Sequence, residues 1–96
     1  MDYFQSDGVR LAYRVEGEGA PIVLVHGFAS THGVNWAEPG WVDALTTAGR
    51  QVILFDLRGH GASDDLVEVA AYDRGVMAGD IVALLDHLGI ARADIM

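Results

Sequence analysis

With 96 residues the chain has room for one domain at most, and its 51% hydrophobic share suits a polypeptide that buries a core. Fourteen acidic against six basic residues leave a formal net charge of -8, which repels phosphate backbones and anionic membrane surfaces and argues against a nucleic-acid or membrane partner. Cysteine is absent, which excludes disulfides, thiolate zinc sites and a thiol nucleophile within the chain.

The opening residues, Met1-Asp2-Tyr3-Phe4-Gln5-Ser6-Asp7, form neither a basic nor an apolar leader, and no apolar run approaches the length of a membrane span. A soluble, cytoplasmic protein is expected. Residues 3–5 and 9–15 alternate partly between apolar and polar around Ser6-Asp7-Gly8, the pattern of a hairpin. Gly17-Glu18-Gly19-Ala20-Pro21 makes the next turn, with Pro21 placed where a missing N–H does least harm. The run Ile22-Val23-Leu24-Val25 is continuous instead of alternating, as a strand covered on both faces requires.

A helix is predicted next, with Trp41, Ala44, Leu45 and Ala48 on its apolar face, Asp43, Thr46 and Thr47 on the other, Pro39 in its first turn and Gly49 at its end. Gln51-Val52-Ile53-Leu54-Phe55-Asp56 reads as a second central strand. A second helix follows Asp73 as N-cap, with Met77, Ile81, Leu84, Leu85 and Leu88 facing the sheet and Gly89 closing it. Ala93-Asp94-Ile95-Met96 begins a further strand. This order predicts an α/β fold, a mostly parallel sheet with helices on its faces and an antiparallel N-terminal hairpin, in a single unit over residues 1–96 without repeats or linkers.

In open α/β sheets chemistry sits at the carboxyl ends of the strands, and those ends carry two glycine-rich segments, His26-Gly27-Phe28 and Asp56-Leu57-Arg58-Gly59-His60-Gly61-Ala62-Ser63. The second closely resembles the D-x-R-G-x-G-x-S signature of α/β-hydrolases, and the first resembles the His-Gly turn after that family's third strand. The resemblance spans essentially the whole chain. It implies the N-terminal portion of an incomplete α/β-hydrolase domain, from its first strand to the start of its fifth, ending just short of the nucleophile turn.

By that resemblance Phe28 supplies a backbone N–H to an oxyanion hole, with His26, Gly27 and Ala29 shaping its loop. Asp56, Arg58, Gly59, Gly61 and Ser63 belong to a loop that is mainly structural, anchored by Arg58. The family's sheet order places the third strand between the fourth and fifth, leaving residues 22–25 poorly covered on one edge and open to pairing with another chain.

The implied function is that of a serine-type hydrolase acting on an ester-like or other small acyl substrate, without a cofactor. The alternative is a non-catalytic hydrolase-like module with a binding or structural role. No serine here occupies a G-x-S-x-G turn: Ser6 lies in the first turn, Ser30 in Phe28-Ala29-Ser30-Thr31-His32, Ser63 after Gly61-Ala62. The isolated chain is therefore expected to be inactive. A nucleophilic aspartate, as in dehalogenases and epoxide hydrolases, is less favoured because Phe28 is followed by Ala29, where many of those enzymes resemble H-G-x-P. A phosphate cradle fails on spacing, since His32-Gly33-Val34 supplies no lysine and Gly17-Glu18-Gly19 precedes its strand.

His26 and His60 read as turn residues whose imidazoles bond nearby backbone. His87 reads as a solvated helix residue, and His32 lies in the loop with no assigned role. The four histidines show no metal-ligand spacing. Trp41 is expected in the core, while Trp36 stands near enough to the oxyanion loop to line a substrate pocket. Asp64, Asp65 and Glu68 read as a solvated loop, and Asp80 and Asp86 as a solvated helix flank.

Overall fold

Two apolar runs, each continuous in sequence, become adjacent parallel strands in the middle of a five-stranded sheet. The computed structural model describes residues 2–26, 31–37, 40–63 and 74–96. Strands β1 (Asp2–Ser6), β2 (Val9–Glu16), β3 (Ala20–Leu24), β4 (Arg50–Phe55) and β5 (Asp94–Ile95) lie in the order β1-β2-β4-β3-β5. The first two pairings are antiparallel, and β4, β3 and β5 run parallel. The hairpin turns through Asp7 (φ 49°) and Gly8 (φ 78°), and positive φ at both central residues is what a type I′ turn needs.

The period of two in a strand divides each apolar run between two cores. Val23, Ile53 and Phe55 join Phe4, Leu11, Tyr13 and Leu57 on one face of the sheet, under helix α2 (Arg74–Leu88), which adds Leu84 at 0% exposure. Ile22, Leu24, Val52 and Leu54 face the other way, onto Trp36 and the Val42 of helix α1 (Trp41–Thr47). Met77, Ile81, Leu85 and Leu88 pack around the first core as their spacing predicts. The end of α2 is a Schellman motif: Ile90 N–H reaches Leu85 O, Gly89 N–H reaches Asp86 O, and Gly89 takes φ 70°. At the amino rim, Gly19 (φ 125°) lies so close to the Gly49 carbonyl that a Cβ would overlap it.

Three expectations change. The buried face of α1 is Val42 with Leu45, not Trp41, Ala44 and Ala48; Trp41 is 46% exposed and Trp36 is 8% exposed. A π-helical turn at Gly33–Ala37 delivers Trp36 into the space beneath α1, and Trp41 lies edge-on outside it with ring centroids 6.3 Å apart. Secondly, the β3 edge is not left open, because β5 pairs with Ile22 and Val23, Met96 N–H donates to Val23 O and Val25 N–H donates to Met96 O. The outer edge on that side belongs to β5. Thirdly, Asp80 is fully buried instead of solvated. Pro39, Asp73, Asp64, Asp65 and Glu68 lie outside the described residues. Among the described residues no helix is long and apolar enough to cross a membrane.

Candidate active-site rim

Because β3 and β4 run parallel with Leu24 opposite Leu54, their carboxyl ends release the chain side by side. His26, two residues past β3 and 3% exposed, accepts a hydrogen bond at Nε2 from the Leu57 N–H (2.9 Å). Its ring also lies 5.1 Å from that of His60, whose Nδ1–H donates to the Arg58 carbonyl at 3.0 Å. Accepting at Nε2 leaves the proton of a neutral imidazole on Nδ1. The rim ends of the two strands are thus joined by side chain to backbone, beyond the last bond of the ladder.

Gly27, Phe28, Ala29 and Ser30 lie outside the described residues, so the oxyanion donor read from sequence remains an assignment by family resemblance. The chain is described again from Thr31. His32 N–H and His32 Nδ1 both meet Asp56 Oδ1, at 2.9 and 2.8 Å. Asp56 Oδ2 accepts from Ala62 N–H at 3.1 Å. Burial alone pushes the Asp56 carboxyl upward. The His32 backbone and side-chain hydrogen bonds, the Ala62 amide and attraction to the His32 ring together outweigh it and hold the group below its ordinary value of 3.8.

The loop after β4 is built around that carboxylate. Gly61, at φ 52°, packs so closely on it that a Cβ would overlap the carboxyl atoms. Ser63 Oγ donates to Asp56 O and accepts from Ala12 N–H (2.9 Å), tying the loop back to β2. Arg58 grips Asp80 of α2 through both Nε and an Nη nitrogen, each at 2.7 Å, with the pair 3% and 0% exposed. Ser6 Oγ donates to the same Asp80 at 2.6 Å. Such a bidentate fork is the geometry arginine supplies and lysine does not.

Asp80, expected on a solvated helix flank, and His32, a loop residue to which the sequence assigns no role, both enter this network. Asp80 carried a signal, since it stands three residues after Met77 and four before Leu84, squarely in the apolar stripe of α2. His32 carried none. Trp36 is a core residue whose Nε1 is buried without a hydrogen-bond partner among the described residues. His87 is exposed, as expected, and its ring also lies 5.5 Å from Tyr13 with Nε2 3.2 Å from the Tyr13 hydroxyl. A surface depression lined by Ala20, Pro21, Arg92, Ala93 and Asp94 lies at the amino ends of β3 and β5, the rim opposite these loops and the wrong one for ligands in such sheets. Among the described residues no three His, Cys, Asp or Glu side chains are gathered as a metal ion needs.

The family profile described as alpha/beta hydrolase fold matches residues 20–96. The chain belongs to the α/β-hydrolase fold family. Epoxide hydrolase A of Mycobacterium tuberculosis is 40% identical to this α/β-hydrolase chain over 90 residues, which cover 92% of the chain and 27% of that protein. The crystal structure of epoxide hydrolase A from Mycobacterium thermoresistibile superposes with a TM-score of 0.87 at 31% identity, covering 98% of this chain and 29% of that one. An enzyme described as degrading N-acyl homoserine lactones superposes with a TM-score of 0.80 at 34% identity, over 98% of this chain and 34% of its own. The chain therefore spans about a third or less of the length of these relatives.

Proposed function

We propose that this chain is the N-terminal part of a hydrolase in which the Phe28 N–H binds an oxyanion, and that its substrate is an epoxide. The supporting observation is the His26–Leu57 hydrogen bond, which holds His26, the residue before Gly27 in sequence, against the β4 end at the carboxyl rim. Kinship with two mycobacterial epoxide hydrolases favours the substrate class. A carboxylate nucleophile attacks a ring carbon, the carbon–oxygen bond breaks and the freed oxygen takes a proton from a general acid, leaving a hydroxy ester on the enzyme. A base-activated water then adds to the ester carbonyl, the backbone donor holds the resulting oxyanion, and its collapse releases the diol and restores the carboxylate. Neither step calls for a cofactor. A cytoplasmic site is part of this proposal, and a cysteine-free chain is compatible with that compartment.

A serine-type acyl hydrolase is the second reading, favoured by Ala29 after Phe28 and by the likeness to the lactone-degrading enzyme. Both chemistries pass through a tetrahedral oxyanion, so the same loop serves either. The nucleophile comes from outside the 96 residues on both readings. Ser6 and Ser63 are held in buried hydrogen bonds, and Asp56 and Asp80 are engaged by His32 and Arg58.

The test is an assay of this chain, and of a longer polypeptide that adds the nucleophile turn, on an aryl epoxide and on a short-chain aryl ester. Diol from the epoxide with the longer polypeptide alone is expected. Ester turnover without diol selects the serine reading. Turnover of neither by a folded protein leaves the binding-module alternative, and turnover by the 96-residue chain refutes the missing nucleophile.

A further inference from the structure

His26 and His32, the described residues on either side of positions 27–31, bond to consecutive residues just past the end of β4. His26 takes the Leu57 N–H at Nε2, while His32, six positions on, meets the neighbouring Asp56 carboxylate through its backbone N–H and its Nδ1–H. We propose that His32 and Asp56 are positioning residues for the oxyanion segment, fixing its far end as His26 fixes its near end. The inference rests on the oxyanion reading above and adds residues to which the family signature gives no such role.

The chemistry of the pair suits a fixed support. Asp56 is 2% exposed and ionised, so its Oδ1 is an acceptor only, and Nδ1 of His32 donates to it whether the ring is neutral or charged. The carboxylate cannot swing to meet a displaced histidine, because Oδ2 is held by the Ala62 N–H and Gly61 packs against its carboxyl atoms. Two bonds from one residue to one oxygen define both the position and the direction of the chain where it leaves the loop. A backbone donor in an oxyanion hole acts only when its N–H is aimed within a fraction of an ångström, and a misplacement of about 1 Å is enough to cost on the order of a hundredfold in rate. Neither residue needs to touch substrate for this role.

Two variants separate positioning from general stability. His32→Leu removes the side-chain donor, and His32→Asn restores one, since Asn Nδ2 occupies nearly the place of histidine Nδ1. In the 96-residue chain, hydrogen exchange of the amides at 27–32 should accelerate by about tenfold in His32→Leu and return toward wild type in His32→Asn, with amides of β2 and β4 unchanged. In the longer polypeptide, kcat should fall by about ten- to a hundredfold in His32→Leu with KM within about threefold, and His32→Asn should recover most of it. Unchanged exchange at 27–32 in His32→Leu overturns the inference. So does accelerated exchange with unaltered kcat, or equal acceleration across the whole sheet, which marks a merely structural residue. A wild-type polypeptide without turnover on either substrate defeats the oxyanion reading instead, while the exchange experiment still decides whether His32 anchors the segment.

Discussion

Three buried side-chain hydrogen bonds converge on Asp80. Its carboxylate faces the Arg58 fork and the Ser6 hydroxyl inside the core under α2, with no exposure to solvent. Asp80→Ala removes the carboxylate that both Nε and an Nη nitrogen of the buried Arg58 hold and should cost about 3 to 5 kcal/mol in urea denaturation. Replacing Arg58 and Asp80 together by Met and Leu should cost clearly less than that single change, because both halves of the buried pair are removed at once. Asp56 makes the complementary prediction in acid. Its folded-state value is depressed, so its stabilising effect is complete above 3.8 and disappears as pH falls through the lower folded value. Urea midpoints should therefore drop for wild type below about pH 4, and Asp56→Asn, weaker at neutral pH, should show a flatter acid limb.

Among the elements, α2 carries the larger core and α1 the smaller one. Leu84→Ala removes a fully buried side chain in contact with the sheet and should destabilise by about 2 to 5 kcal/mol in urea melts, whereas Val82→Ala, at a position 58% exposed, should stay within about 0.5 kcal/mol. The periodicity of α2 was legible because fifteen residues give four turns over which an apolar stripe repeats. In the seven residues of α1 the stripe has no room to repeat, and the choice between a face on Trp41 and one on Val42 fell to the shape of the space already filled by Trp36. The strands were legible because a continuous apolar run has only one use in a sheet with both faces covered.

At the scale of the whole molecule, β5 bounds the described sheet on the β3 side, a strand of two residues with Ile95 58% and the following Met96 44% exposed. We propose that in the 96-residue chain this short apolar edge pairs weakly with a strand of a second copy. Sedimentation at rising concentration should show weak self-association that Ile95→Lys suppresses, against a net charge of -8 that opposes it at low salt. Arg50 braces the amino rim nearby, donating from Nε to Ala20 O and from an Nη nitrogen to Asp94.

Strand and helix periods, the positive-φ turn at Asp7-Gly8, the closing Gly89 and the D-x-R-G-x-G-x-S loop all depend on residues within a few positions of one another. Local backbone preference and side-chain spacing settle such features, so the fold class and the loop after β4 were readable from the amino acids. The Ser6–Asp80, Arg58–Asp80 and His32–Asp56 contacts join residues 74, 22 and 24 positions apart. No local preference reaches that far. Those partnerships arose only when strand order and the seating of α2 brought the groups together in a space where an unpaired charge is too costly to keep.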